Sequence, residues 1–215
     1  MKKSTGIAVI ESKWWRGSNV SVRSMFDLVA DIATRNPHGY HYEMANSEAA
    51  LKESIPRIAG YRDCRYLCLA MHGDSDGLQL INKERLSRTE LRNLLTRVKA
   101  KPGSKLAGVY LSSCAFGTRD LADFVFQQDA GVSWIAGYSE RVDFIESSAL
   151  DLLFFNHLVW EDASTEGEKI KAVAKRITDI APGLARELGF GIYVRKQGTG
   201  GAKNLLAPIH VAEAA

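Results

Sequence analysis

Four stretches of the chain are apolar at nearly every position: residues 6–11, 65–71, 105–112 and 134–138. Continuous apolar runs of this length read as β-strands covered on both faces, the mark of a parallel sheet between helical layers. The segments between them carry a different period. Residues 22–35 place Met25, Phe26, Leu28, Val29 and Ile32 at helical spacing and stop at Asn36-Pro37. A short second strand is predicted over residues 40–44. Ser47 then caps a helix running to Ile58. Ser87-Arg88-Thr89-Glu90 is a capping box opening a helix to about Val98. Further helices are predicted over 118–128, over the strongly apolar 147–160, and over 166–188 with an interruption at Pro182-Gly183. Residues 191–195 read as a sixth strand at the sheet edge, 197–201 as a flexible loop, and the tail from Leu205 as a short terminal strand. Alternating strands and helices predict one α/β domain over residues 1–215, built on a mainly parallel sheet of about six strands. Sites in such sheets form outside the carboxyl ends of the strands.

Composition narrows the class. Of 215 residues, 46% are hydrophobic and 25% charged, enough for a sizeable core. A net charge of +3, with Lys and Arg scattered, argues against nucleic acid as a partner. No run has the length and apolarity of a membrane span, and Met1-Lys2-Lys3-Ser4-Thr5-Gly6 leads into a strand, not a signal-peptide core. The three cysteines are an odd number and lack a disulfide pattern, which predicts a reducing, cytoplasmic setting.

Two strand ends carry the chemistry. One is Cys68-Leu69-Ala70-Met71-His72-Gly73; the other is Val109-Tyr110-Leu111-Ser112-Ser113-Cys114. On neighbouring parallel strands, His72 and Cys114 would share one edge of the sheet. A free thiol near its ordinary pKa of about 8.5 is only slightly ionised at neutral pH. A histidine that removes its proton makes it a nucleophile. The N–H groups of Gly73 and Cys114 are candidates for an oxyanion hole, with Gly73 lacking a Cβ that would block the substrate. Ser112 and Ser113 are small and leave room beside the sulfur. A buried inert cysteine and a polar strand-end histidine are the competing readings.

These residues carry a family resemblance. The stretch from Leu67 to Leu95, with His72-Gly73, Gly77-Leu78-Gln79-Leu80 and Leu86-Ser87-Arg88-Thr89-Glu90-Leu91, resembles caspase-like domains of the CHAT type. So do Gly108 to Gly117, with Ser113-Cys114, and Ile135-Ala136-Gly137-Tyr138-Ser139 followed by Val142-Asp143 and an apolar helix. The resemblance covers about residues 60–160. It implies a caspase-like three-layer sandwich and a cysteine peptidase with Cys114 as nucleophile and His72 as base. It also implies a protein or peptide substrate, a regulatory protein partner and no metal or organic cofactor. The Gln-Ala-Cys-x-Gly signature of animal caspases is absent, so their aspartate pocket is not carried over. Relatives with basic specificity place an acid after the fifth strand, which makes Asp143, then Glu146, the candidate substrate-binding acids, with Ser112 beside them. The alternatives are a catalytically silent interaction domain of the same fold, or a thiol hydrolase acting on small acyl groups.

Other residues read more simply. Cys64 and Cys68 have no second pair for a zinc site and belong to the core. Asp74 and Asp76 form a turn before Gly77. His38, His41, His157 and His210 are structural or solvated. Trp14 and Trp15 are adjacent, so one packs inward while the other is partly exposed.

Overall fold

A computed structural model describes residues 4–196 and 200–206. In chain order the elements are β1 (Ile7–Glu11), α1 (Arg23–Thr34), β2 (His41–Met44), α2 (Glu48–Ile58), β3 (Tyr66–Ala70), β4 (His72–Asp74), β5 (Gly77–Gln79), β6 (Arg85–Ser87), α3 (Arg88–Lys99), β7 (Gly108–Ser112), α4 (Arg119–Gln127), β8 (Trp134–Tyr138), α5 (Phe144–Trp160), α6 (Glu166–Ile180), α7 (Pro182–Glu187), β9 (Phe190–Arg195) and β10 (Ala202–Asn204). The main sheet has the order β10-β9-β8-β7-β3-β1-β2. From β2 to β8 all pairings are parallel; β9 and β10 run antiparallel. Every residue of β1, β3, β7 and β8 is buried, as their unbroken apolar runs require. One face carries α2, α3 and α4 over a core that includes Leu51, Leu69, Leu95 and Leu111. The other carries α1, α5 and α6 over Phe26, Tyr110, Trp134, Phe154 and Phe155. The result is an α/β three-layer sandwich.

The sheet has seven strands, one more than the pattern predicts. β9 is not the edge; the three-residue β10 lies outside it and pairs with it antiparallel. The added strand ends at Asn204, just before the predicted terminal strand at Leu205. Residues 197–199 of the predicted loop, and the chain beyond Leu206 with His210, lie outside the described residues. α5 begins at Phe144, three residues earlier than its apolar stripe suggests, because Asp143 is its N-cap. The capping box of α3 is present in full. A small second sheet, β4-β5-β6, stands directly after β3.

Candidate active site

Parallel register aligns Glu11, Ala70 and Ser112 across β1, β3 and β7, so the carboxyl edge of the sheet is set by three strand ends. Beyond Ala70 the chain passes through Met71, whose N–H donates to Ser112 O, and enters β4 at His72. Beyond Ser112 it turns sharply through Ser113, Cys114 and Ala115. Ala115 has φ 54°, a left-handed conformation uncommon for a residue with a side chain. The turn is tied down on its far side, where Ala115 N–H donates to Glu140 O and Gly117 N–H to Tyr138 O. Gly117 is obligatory there: a Cβ would stand 2.4 Å from the backbone of Gly137 and Tyr138.

The two strand ends open into one cleft, lined by Trp14, Trp15, His72, Ser112, Ser113, Cys114, Val142, Phe144, Ser147 and Ser148. The His72 ring is boxed by aromatic groups. Trp14 meets it edge-on at 5.4 Å between centroids and Trp15 at 5.9 Å; both indoles also contact Phe144. His72 Nε2 lies 2.6 Å from the Trp14 carbonyl oxygen. A carbonyl only accepts, so Nε2 carries the hydrogen in this contact, which leaves Nδ1 as the ring nitrogen free of it. Cys114 Sγ receives the Val142 N–H at 3.5 Å and lies 3.7 Å from Val142 O. The sulfur's hydrogen bonds in the free protein therefore go to the loop before α5. The Cys114 N–H has no acceptor among the described residues. Gly73 pairs with Leu78 one step in from the closing pair of a two-residue hairpin turn. Ladder alternation turns its N–H away from β5.

Two buried carboxyl groups frame the site, and neither stands out in the sequence pattern. Glu11, at the end of β1, accepts from Trp14 Nε1 at 2.7 Å, Val22 N–H at 3.0 Å, and the hydroxyls of Ser21 and Tyr42 at 2.6 Å. Burial, followed by this contact with Glu11, pushes the Tyr42 phenol up to about 12. Asp151, on α5, accepts from Tyr110 OH at 2.5 Å, Ser112 Oγ at 2.6 Å, and Tyr138 OH. Burial raises the Asp151 carboxyl to about 6, although the three hydroxyls pull the other way. The available signal for both is an acid on an otherwise buried run: Glu11 closes an apolar strand, and Asp151 shares a helical stripe with Ser147, Phe154 and Phe155.

His72, Cys114, Gly73 and Ser112 are thus brought together, and Asp143 and Glu146 are set apart. Both acids are exposed and neither lines the cleft. Asp143 Oδ1 accepts from the N–H groups of Ile145 and Glu146, the ordinary work of a helix cap. The remaining expectations resolve locally. Cys64 and Cys68 are buried free thiols; burial pushes Cys64 up to about 12 and Cys68 well above its usual value. Asp74 Oδ1 accepts from Asp76 N–H in the turn, and Arg85 pairs with Asp74. His41 pairs with Asp63. Trp14 is buried, while Trp15 is 46% exposed. No helix among the described residues is long and apolar enough to cross a membrane, and no cluster among them could hold a metal ion.

No protein-family profile matches the sequence, and no curated protein matches it. Among solved structures, the chain is similar to a secreted C11 cysteine protease from Bacteroides thetaiotaomicron in complex with an irreversible peptide inhibitor. The identity is 9% over 88% of this chain and 65% of that one, with a TM-score of 0.51. A second structure, the secreted C11 cysteine protease iotapain from the same organism, aligns at 6% identity over 87% and 65%, with a TM-score of 0.49. This chain spans 65% of the length of those structures. What the likeness shows is the fold: a mixed α/β sandwich of the caspase-like kind found in C11 proteases.

Proposed function

We propose that this protein is a cysteine endopeptidase with Cys114 as nucleophile and His72 as the proton-transfer group. One observation carries the reading: both side chains open into a single cleft at the carboxyl edge of the sheet, and the Trp14 carbonyl already orients the imidazole. Nδ1 takes the thiol proton as the sulfur attacks the peptide carbonyl. The Val142 N–H disperses charge on the sulfur. The N–H groups of Gly73 and Cys114 receive the carbonyl oxygen as it gains charge. Collapse expels the amine, which takes its proton from His72. Water, deprotonated by the same ring, then hydrolyses the thioester.

Cleavage after a basic residue is the substrate preference we propose. Trp14, Trp15 and Phe144 supply flat walls for a long side-chain stem and attract a cation through their ring faces. Asp143 keeps Oδ2 clear of its capping bonds, and Glu146 stands one helical turn on; both lie outside the cleft lining, where they would meet a guanidinium at the mouth. Control by a partner protein, and a reducing compartment that suits three free thiols, complete the reading.

Acyloxymethyl ketone probes carrying Arg, Lys, Leu or Asp, followed by mass mapping, test this. Labelling at Cys114 that is lost in His72→Ala is the expected outcome, with Arg or Lys preferred. A folded protein that leaves Cys114 unlabelled, alone and with candidate partners, would point to a silent interaction domain. Thioester turnover without peptide cleavage would point to a small-acyl hydrolase.

A further inference from the structure

We propose that Asp151 sets the preference for a basic substrate side chain: its buried carboxylate is the countercharge for a guanidinium or ammonium group seated in the cleft, felt through the Ser112 hydroxyl. The inference deepens the reading of cleavage after a basic residue and rests on it. Asp151 is 1% exposed. A carboxylate buried this deeply is almost always paired with an opposite charge. Asp151 has hydroxyls instead, from Tyr110 and Ser112 on β7 and from Tyr138 on β8. The titratable groups that face it are Tyr110, Tyr138 and Cys68 on β3, and burial pushes all three well above their usual values, so they stay neutral. Among the described residues no Lys, Arg or His offsets the charge. Three donors hold the carboxylate in place without neutralising it.

Position puts the missing cation in the cleft. Where β7 meets α5 the cleft is lined by three small polar residues, Ser112, Ser147 and Ser148. Ser147 and Ser148 lie four and three residues before Asp151, on the preceding turn of the same helix face. Ser112 Oγ gives its hydrogen to Asp151 Oδ2 at 2.6 Å, which leaves the oxygen's lone pairs to accept from an N–H. A hydroxyl already donating to a carboxylate is the stronger acceptor for it. A cation held there would stand one hydroxyl away from the charge, without touching Asp151. Glu11, the other buried carboxyl at this edge, sits behind the Trp14 indole instead. Neither Lys nor Arg lines the cleft, so nothing there repels a positive group or pairs with a negative one. Asp143 and Glu146 meet the cation at the mouth; Asp151 holds it once inside.

The test uses two acyloxymethyl ketone probes, one with Arg and one with citrulline next to the warhead. The two side chains share a stem and a planar head and differ in charge. The rate of Cys114 labelling by each is compared in wild type and in Asp151→Asn. In wild type the Arg probe should react at least about tenfold faster at neutral pH, and most of that advantage should vanish in Asp151→Asn, whose citrulline rate falls far less. An unchanged Arg-to-citrulline ratio in the variant would overturn the proposal. So would an equal fall in both rates, which marks a purely structural role. Wild type alone supplies a second measurement, should the variant not fold. The cation favours the ionised carboxyl, which titrates at about 6, so the ratio should climb severalfold as pH rises from about 5 to about 7. A flat ratio would overturn the proposal. Equal labelling by both probes in wild type would remove the basic preference and this inference while leaving the peptidase; folded protein labelled at Cys114 by neither would remove the peptidase reading as well.

Discussion

Glu11 and Asp151 are both fully buried carboxyl groups at the same edge of the sheet, yet each serves a different half of the site. Glu11 holds a loop. Its four donors come from the irregular segment after β1 and from Tyr42 on the edge strand β2, and one of them, the Trp14 indole, belongs to the residue whose carbonyl orients His72. Asp151 holds regular structure. It reaches from α5 to Tyr110 and Ser112 on β7 and to Tyr138 on β8, fixing the strand that delivers Cys114. The nucleophile side of the cleft is thus built on rigid elements, whereas the histidine side depends on a loop drawn in by a single carboxyl group.

Removing that group is the most damaging way to probe the comparison. Glu11→Ala leaves an indole N–H, a backbone N–H and two hydroxyls without their acceptor. At about 1–3 kcal/mol for each buried group left unpaired, with Ser21 and Tyr42 partly relieved by water, the expected loss is about 3–5 kcal/mol in a denaturant titration. Probe labelling of Cys114 should fall with it, since His72 loses its orienting loop. Labelling that survives Glu11→Ala would show that the loop is not what positions the ring.

Asp151→Asn is expected to be milder, about 1–3 kcal/mol, because one oxygen still accepts. Its distinctive effect is on pH dependence. The folded carboxyl at about 6 lies above the unfolded value of about 3.9, so the native state binds the extra proton between them. The stability this contributes is complete below pH about 4 and is lost as pH rises through about 6. On the order of 2–3 kcal/mol should disappear across that window in wild type but not in Asp151→Asn. Identical slopes for the two proteins would mean that Asp151 does not titrate there.

The smallest effect belongs to Trp15→Ala. With its ring half in solvent, stability should change by less than about 1 kcal/mol. Probe labelling should slow severalfold through loss of a cleft wall, with no change in the pH profile. An unchanged labelling rate would place the substrate elsewhere.

The sequence is legible where one residue type has one physical use. Strands buried on both faces, the Ser87–Glu90 capping box and the division of labour between Trp14 and Trp15 all follow from residue type and spacing alone. Legibility fails where a residue has two uses. Asp143 reads as a pocket acid, a solvated loop acid or an acid at a helix N-terminus, and the fold uses it as the N-cap of α5. β10 is three residues long with an exposed Lys-Asn end, too short and polar to leave an alternation. The reversal from parallel to antiparallel at β9 leaves no trace in periodicity. Nor does the carbonyl that orients His72, since a backbone partner has no residue type to recognise.

The aromatic box also makes the cleft visible to light. Of four tryptophans, Trp134 is sealed beneath α5 and Trp160 stands exposed at that helix's end, while Trp14 and Trp15 flank the His72 ring. An adduct on Cys114 that covers Trp15 would shift its emission to shorter wavelength against the steady signal of the distant pair. Occupancy of the cleft becomes a colour change, readable in a stopped-flow cuvette before any product has formed.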